Sequence, residues 1–274
     1  MPASALLLAL AAAVVHASWN LLLADRADIR AATAVAAGAG TLCFAPVAVL
    51  TWRLHEAALP YLIPSAGLET LYLLLLALGY SRAAMSFVYP IARGSAPVIV
   101  LLISALALGV TVSATSAAGV VTVALGIVLV RGLRSSGSGR DLALALTTGA
   151  AIAGYTLIDQ HGIRHANAIS YLEVDLGLGA CVLLGSAWHD RGGEELRAAL
   201  GPRTVLAGIG MFASYLLVLA ALRLASAAPV AAVRESGVVF ATGFLFLTGR
   251  ERVTVERLLG SVAVVAGIVL ISLG

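Results

Sequence analysis

The sequence predicts an all-α, polytopic membrane protein whose ten transmembrane helices form two inverted five-helix repeats. Three observations lead to this fold class. First, 61% of the 274 residues are hydrophobic, only 11% are charged, and the mean hydropathy is +1.02, unlike soluble domains. Second, the apolar residues fall into runs long enough to cross a bilayer. Third, the two halves of the chain match each other at charged and glycine positions.

The first five runs predict a unit over residues 1–131. Each run has about the 20 residues that a helix needs to cross the hydrocarbon core. Some breaks between runs, such as Gly109 to Val112, are so short that successive helices must be antiparallel neighbours. The predicted spans are 3–24, 31–52, 61–80, 83–108 and 113–131.

A Gly/Ser/Arg-rich stretch over residues 132–140 has the composition of a flexible linker, and we expect it to lie in the cytoplasm. Five further apolar runs follow and predict a second unit over residues 141–274. Its spans are 141–161, 168–188, 202–222, 226–248 and 253–273.

The two units are copies of one another. A shift of 141 positions aligns residues 66–130 with 207–271 without a gap, and arginine matches are informative in a chain with so few charges. Because each unit has an odd number of spans, the second copy enters the membrane inverted, an arrangement typical of secondary transporters. The matches include Arg82 with Arg223, Arg93 with Arg234, Ser95 with Ser236 and Gly119 with Gly260.

The arginine distribution predicts the orientation. Loops after the odd-numbered spans carry twelve arginines, whereas the opposite side carries three. The positive-inside rule therefore predicts an inner (plasma) membrane protein with both termini on the non-cytoplasmic side. The arginines are scattered between apolar runs and form no basic patch, which argues against a nucleic-acid partner.

Seven charged residues lie within or at the ends of predicted spans. A charge at a lipid-facing helix centre costs about 3 kcal/mol on insertion scales, so we expect these side chains to face a polar interior. Internal salt bridges that only tie helices together are the alternative. The residues are Glu69, Arg93, Asp159, Glu173, Asp175, Arg234 and Glu235.

Arg93 lies between prolines in span 4. Pro90 and Pro97 each free a helical carbonyl, and Gly94 loosens the segment between them, so we expect a broken helix that lines a cavity. The guanidinium would grip a carboxylate or phosphonate by paired hydrogen bonds. A proline kink used for packing is the alternative.

The matching segment of span 9 carries an acid beside its arginine. Glu235 can neutralise Arg234 locally, and Pro229 occupies a first-turn position. Arg93 has no acid within its own span, which makes it the better candidate for an anionic substrate group, with Glu69 as the alternative partner.

Glu69 has no acidic equivalent in the second unit, where Gly210 aligns with it. Symmetry therefore does not require this carboxyl, and it is a candidate for proton coupling. A fixed Glu69–Arg93 bridge is the alternative.

The motif "HASWN" places His16, Trp19 and Asn20 on one face of span 1. Such a face suits a substrate-lined cavity, and His16 could carry a proton. Tyr155 and Asp159 hold a similar place in span 6. An interfacial tryptophan anchor beside a satisfied histidine is the alternative reading.

Further side chains complete the predicted site. Tyr72, Tyr89 and Tyr215 add hydroxyls on central spans, and Ser236 follows Arg234 and Glu235. Glycines seven residues apart in spans 5 and 10 predict close helix packing instead of chemistry. These are Gly119, Gly126, Gly260 and Gly267.

The whole chain resembles the EamA family of the drug/metabolite transporter superfamily. The resemblance rests on the repeat layout, on "HASWN", on "LGYSRAAMSFVYPIARGSAPVIV" and on its echo "LRLASAAPVAAVRESGVVFATG". It implies a secondary carrier, often an exporter of amino acids, related metabolites or toxic organic compounds, with a central cavity.

These observations predict a proton-coupled exporter of a small zwitterionic or anionic metabolite that works by alternating access. The expected partners are the substrate, protons, the lipid bilayer and a second copy of the chain in a homodimer, and no cofactor or metal is expected. A multidrug exporter of organic cations, bound by Glu69 and the acids of span 7, is the alternative. A membrane-embedded enzyme acting on lipid phosphates is a distant one, because the chain has none of the usual phosphate-loop, HExxH or serine-elbow motifs.

Overall fold

A computed structural model describes residues 1–24, 26–81, 85–131, 138–247 and 254–274. Almost all of these residues are helical, which confirms the all-α class. Short 3-10 turns cover Glu56–Ala58 and Ile163–His165. The helices are α1 (Ala3–Ala24), α2 (Ile29–Leu50), α3 (Leu59–Ser81), α4 (Met85–Leu106), α5 (Ala114–Arg131), α6 (Gly139–Gly162), α7 (Ala168–Arg191), α8 (Gly193–Ala199), α9 (Pro202–Leu222), α10 (Ala227–Glu235), α11 (Gly237–Leu247) and α12 (Val255–Leu273).

The apolar runs predict most helix ends to within three residues. Two features differ from the prediction: span 9 is divided into α10 and α11, and the short helix α8 follows span 7. Seven helical segments in the described ranges are long and apolar enough to cross a membrane, and the shorter apolar segments Ile91–Leu106 and Ala114–Val130 accompany them. Ten crossings in inverted repeats stay a prediction.

The outer surface of the helices is apolar, as a bilayer requires. Large aliphatic side chains are turned outward on several helices, including Leu42 (75% exposed), Leu50 (85%) and Leu106 (82%). The buried positions inside are mostly alanine, valine and leucine, together with a set of charged and hydroxyl side chains. The chain is therefore apolar outside and partly polar inside.

Local capping fixes where several helices begin. Asp28 accepts hydrogen bonds from the backbone N–H groups of Arg30 (2.9 Å) and Ala31 (3.0 Å) at the start of α2. Ser138 and Asp141 form a reciprocal capping box at the start of α6. Since α6 begins at Gly139, the end of the predicted linker belongs to a helix, while residues 132–137 lie outside the described part of the chain.

The predicted break in span 4 is wrong, because α4 is one continuous helix from Met85 to Leu106. Close packing holds it: a Cβ atom on Gly94 would lie 3.1 Å from the carbonyl oxygen of Ala124 in α5. A proline frees a carbonyl and bends a helix without having to unwind it.

The interruption lies instead in span 9. α10 ends at Glu235, Ser236 forms a turn, and α11 begins at Gly237. The Ser236 hydroxyl donates to the carbonyl of Val233 (2.6 Å). A Cβ atom on Gly237 would lie 2.9 Å from the carbonyl oxygen of Ala13 in α1, so the turn lets α11 approach α1 closely. Pro229 lies in the first turn of α10, as predicted.

One end of the bundle is tied by loop pairing. Leu54 and Ala166 form an isolated antiparallel bridge between the α2–α3 loop and the α6–α7 turn. Arg223, at the end of α9, donates to the carbonyl of Ala166 (2.7 Å) and to that of Ile163 (3.2 Å). Three connections therefore meet on the side that the arginine distribution predicts to be non-cytoplasmic.

Helices α5 and α12 pack backbone to backbone, as the glycine spacing predicts. A Cβ atom on Gly119 would lie 2.7 Å from the Gly267 carbonyl oxygen, and one on Gly126 would lie 2.7 Å from that of Gly260. The earlier glycine of α5 contacts the later glycine of α12, and the later one contacts the earlier one. The two helices are therefore antiparallel. Only glycine permits this approach, since real Cβ atoms do not come so near a carbonyl.

Replacing Gly119 by valine should therefore destabilise the protein. The new side chain would push α12 away, an overpacking that costs about 1–3 kcal/mol. We expect Gly119→Val to have a lower melting temperature in detergent than Gly185→Val. Gly185→Val is a matched change in α7, where an added Cβ has no neighbour within 4 Å. Equal melting temperatures for the two variants would contradict the packing described here.

Candidate functional site

A central cavity collects the polar side chains of the helix bundle. The space between atoms in and around it amounts to about 620 Å³, a volume that includes open solvent at its mouth, and its lining residues come from α1, α3, α4, α6, α7, α9 and α10. Two arginines, one acid, four large aromatic rings and one histidine line it. These are Arg93, Arg234, Glu69, Trp19, Tyr72, Tyr155, Tyr215 and His16.

Two guanidinium groups share one carboxylate beside the cavity. Arg93 of α4 donates to both oxygens of Glu235 at the end of α10 (3.0 and 3.1 Å), and Arg234 donates to Oε1 through Nε (3.2 Å) and Nη2 (3.0 Å). All three side chains are buried. Span 4 supplies no acid to Arg93, as the sequence indicates, but a different helix does, so Glu235 pairs with Arg93 as well as with Arg234. This cluster carries one surplus positive charge.

Aromatic side chains position both guanidinium groups. Arg93 donates to the hydroxyl of Tyr72 (2.9 Å), and its Nη2 lies 3.3 Å from Nε2 of His16. The guanidinium carbon of Arg234 lies 5.9 Å from the ring centre of Tyr155 and 6.0 Å from that of Tyr215. These are cation–π distances, so the rings stabilise positive charge in a buried place.

The side chains of the "HASWN" motif have two different environments: some line the cavity, and one bonds within its own helix. His16 and Trp19 line the cavity, with ring centres 5.0 Å apart in an edge-on arrangement. The indole N–H of Trp19 is buried and has no hydrogen-bond acceptor among the described residues. Asn20 donates back to the carbonyl of His16 (2.8 Å), so its amide is used within α1.

Asp159 lies behind the cavity wall in a cage of hydroxyl groups. It accepts hydrogen bonds from Tyr171 (2.9 Å), Ser65 and Tyr215. The four residues come from α6, α7, α3 and α9, so this carboxylate joins four helices. Ser65 and Tyr171 are not among the residues that the sequence motifs single out.

Asp175 of α7 lies directly beside Glu69 of α3, within hydrogen-bonding reach of its carboxyl. It is completely buried, and neither of its oxygens has a hydrogen-bond donor among the described residues. Its sequence signal is the four-residue spacing from Tyr171, which puts both side chains on one face of α7. Among the described residues Arg93 forms its salt bridge with Glu235, which does not support the alternative of a fixed Glu69–Arg93 bridge.

Two further residues of the sequence prediction, Ser236 and Glu173, are not part of the cavity wall. Ser236 bonds within the α10–α11 turn, and Glu173 does not line the cavity. The side chain of Tyr89 lies outside the described part of the chain, although its backbone belongs to α4.

The cavity is therefore bipolar. Its lining includes both arginines of the cluster, with its surplus positive charge, and the carboxyl of Glu69, together with several aromatic rings. No group of three or more histidine, cysteine, aspartate or glutamate side chains within the described ranges is arranged to hold a metal ion.

Comparisons with known proteins agree with this architecture. The model of the EamA-like transporter family matches residues 140–273, about half of the chain. A solved structure described as "Crystal structure of protein" has a TM-score of 0.77 and 15% identity, and the match covers 100% of this chain and 99% of that one. At this identity the likeness concerns the fold alone. No curated protein matches the sequence.

Proposed function

Because residues 140–273 belong to the EamA-like transporter family, we propose that the protein is a secondary active transporter that exports a small zwitterionic or anionic metabolite, such as an amino acid, in exchange for protons. The observation that carries this proposal is the bipolar cavity. Family membership favours transport over chemistry on lipid phosphates.

The arginine cluster supplies the site for a substrate carboxylate. Arg93 and Arg234 together carry two positive charges, and Glu235 neutralises one of them. A bound carboxylate would complete the neutralisation and accept charge-assisted hydrogen bonds from a guanidinium. In a buried place this electrostatic match selects strongly for an anionic group.

Glu69 supplies the site for a substrate ammonium group. It lines the same cavity as the arginines, near the rings of Tyr72 and Tyr155. An ammonium group would pair with the carboxylate and lie against aromatic faces, an arrangement that favours cations. A zwitterion pairs with both the arginine cluster and Glu69, whereas a simple anion or cation pairs with only one of them.

Alternating access would use the helix packing around the cavity. The arginine cluster lies where α10 ends and the chain turns into α11, so a change at this turn moves α11 against α1 and alters the cavity wall. Transporters often bind substrate at such interrupted helices. The plasma membrane, termini on the non-cytoplasmic side and a possible homodimer remain part of the proposal.

The proposal is tested with purified protein in proteoliposomes. Counterflow of labelled amino acids should exceed that of cationic drugs. Glu69→Gln should lower zwitterion uptake by about tenfold or more, since it removes one charge partner, yet spare an analogue without the amino group. Glu173→Gln is the matched control, because Glu173 does not line the cavity.

An exporter of organic cations is the second candidate, favoured by the aromatic rings around Glu69. It gives the opposite result in the same assay. Counterflow of cationic drugs without counterflow of zwitterions would replace the first proposal by this one.

A further inference from the structure

Two carboxyl groups meet beside the cavity without any donor between them. Glu69 reaches the cavity from α3, and Asp175 lies behind it on α7, within hydrogen-bonding reach. Oε2 of Glu69 and both oxygens of Asp175 are buried without a hydrogen-bond partner among the described residues. Two ionised carboxylates cannot donate to one another, so this contact repels unless a proton lies between them.

We propose that Glu69 and Asp175 form a shared proton-binding site, in which one proton bridges the two carboxyls and is displaced when the ammonium group of the substrate binds Glu69. This inference deepens the proposed function. It depends on the proposed function in one respect, namely that the substrate has an ammonium group. It assigns to Asp175 the role of a positioning residue that holds the proton on Glu69.

The groups around the pair make a shared proton more favourable than two ionised carboxylates. Asp159 of α6 is a further negative charge nearby, and it interacts electrostatically with both members of the pair. Arg234 interacts electrostatically with Glu69, but its donors Nε and Nη2 are already used by Glu235.

The remaining charged or titratable neighbours are engaged elsewhere. Arg93 of α4 bonds to Glu235, Tyr72 and His16, whereas Tyr171 of α7 and Tyr215 of α9 donate to Asp159. Tyr155 of α6 packs its ring between those of Tyr72 and Tyr215. From α2, which also packs against α7, Arg30 pairs with Asp190 at the other end of the helix.

The geometry also explains how a buried pair can exchange its proton. Glu69 lines the cavity, so water in the cavity reaches the pair through this residue, while Asp175 is not exposed. A substrate ammonium at Glu69 supplies the positive charge that the proton supplied before. The proton is then released to the cavity water, and proton and substrate occupy the site in turn, which is the requirement for exchange.

The first test is an infrared measurement on the purified full chain at neutral pH. The unmodified protein should show the C=O stretching band of a buried protonated carboxyl. Glu69→Gln and Asp175→Asn should each remove it, because the new amide donates an N–H to the remaining carboxylate. Glu173→Gln, two residues away on α7, should leave it unchanged. Absence of the band from the unmodified protein, or its persistence in Asp175→Asn, would overturn the proposal.

The second test follows proton movement in proteoliposomes with a pH-sensitive dye inside. Substrate addition should drive proton movement in the unmodified protein, and Asp175→Asn should abolish it while substrate counterflow continues. Proton movement that persists in this variant, or that requires sodium ions, would refute the shared site. If no amino acid or drug is transported by the unmodified protein, the proposed function fails, and the infrared result still decides the proton site.

Discussion

Glu235→Ala is expected to abolish transport and to lower the free energy of unfolding by about 3–5 kcal/mol, because it removes the one carboxylate between two buried guanidinium groups. Arg93 and Arg234 would then repel each other without compensation, since both donate to Glu235 in the intact protein. Thermal unfolding in detergent and counterflow in proteoliposomes measure the two effects.

The control for this variant is Glu194→Ala, which removes an exposed acid of the short surface helix α8. It should melt and transport like the unmodified protein. Glu235→Gln keeps the size of the side chain and should have an intermediate effect. Were Glu235→Ala to melt at the temperature of the control, the two arginines would have to be neutralised by other groups.

Arg93→Ala is expected to reduce the transport of zwitterions by about 100-fold or more, the loss that accompanies removal of a buried charge partner. The variant keeps the Arg234–Glu235 pair, so the surplus positive charge disappears from the cavity wall. Arg93→Lys keeps the charge but not the forked geometry, and it should retain stability with reduced transport. Initial rates across a panel of amino acids, phosphonates and cationic drugs measure the effect.

The same substitution separates the two candidate functions. An exporter of organic cations should still bind cations after Arg93→Ala, because the change removes positive charge from its cavity. Arg203→Ala, an exposed change near the start of α9, is the control and should leave all rates unchanged. Full zwitterion transport by Arg93→Ala would remove the arginine cluster from substrate binding.

Much of the fold follows from the length of the apolar runs, because the bilayer demands about 20 apolar residues in each crossing. The position of the helix interruption does not follow from the apolar runs. Pro90 and Pro97 are visible in the sequence, but α4 stays intact because its neighbours hold it. The turn at Ser236 depends on the close approach of Gly237 to Ala13, a tertiary contact between distant parts of the chain.

The candidate site was predictable where helical periodicity decides which side chains share a face. Ionisable side chains avoid lipid, so the sequence predicts that Glu69, Arg93 and Arg234 face inward, and all three line one cavity. Trp19, for which an interfacial anchor is the alternative, lines the same cavity. Their pairing was not predictable, because Glu235 reaches Arg93 only when α10 packs against α4. Asp175 was visible as an intramembrane acid, but its contact with Glu69 depends on the position of α7 beside α3.

The glycine contacts between α5 and α12 constrain the sequence for helix packing, whereas the residues that line the cavity are constrained by the substrate. Neither helix contributes a side chain to the cavity, and their backbones touch too closely for any larger residue. A laboratory selection for new substrates should therefore accumulate changes on α1, α3, α4, α6, α7, α9 and α10 while leaving the four glycines untouched. The α5–α12 pair would act as a fixed scaffold on which one architecture can acquire many selectivities.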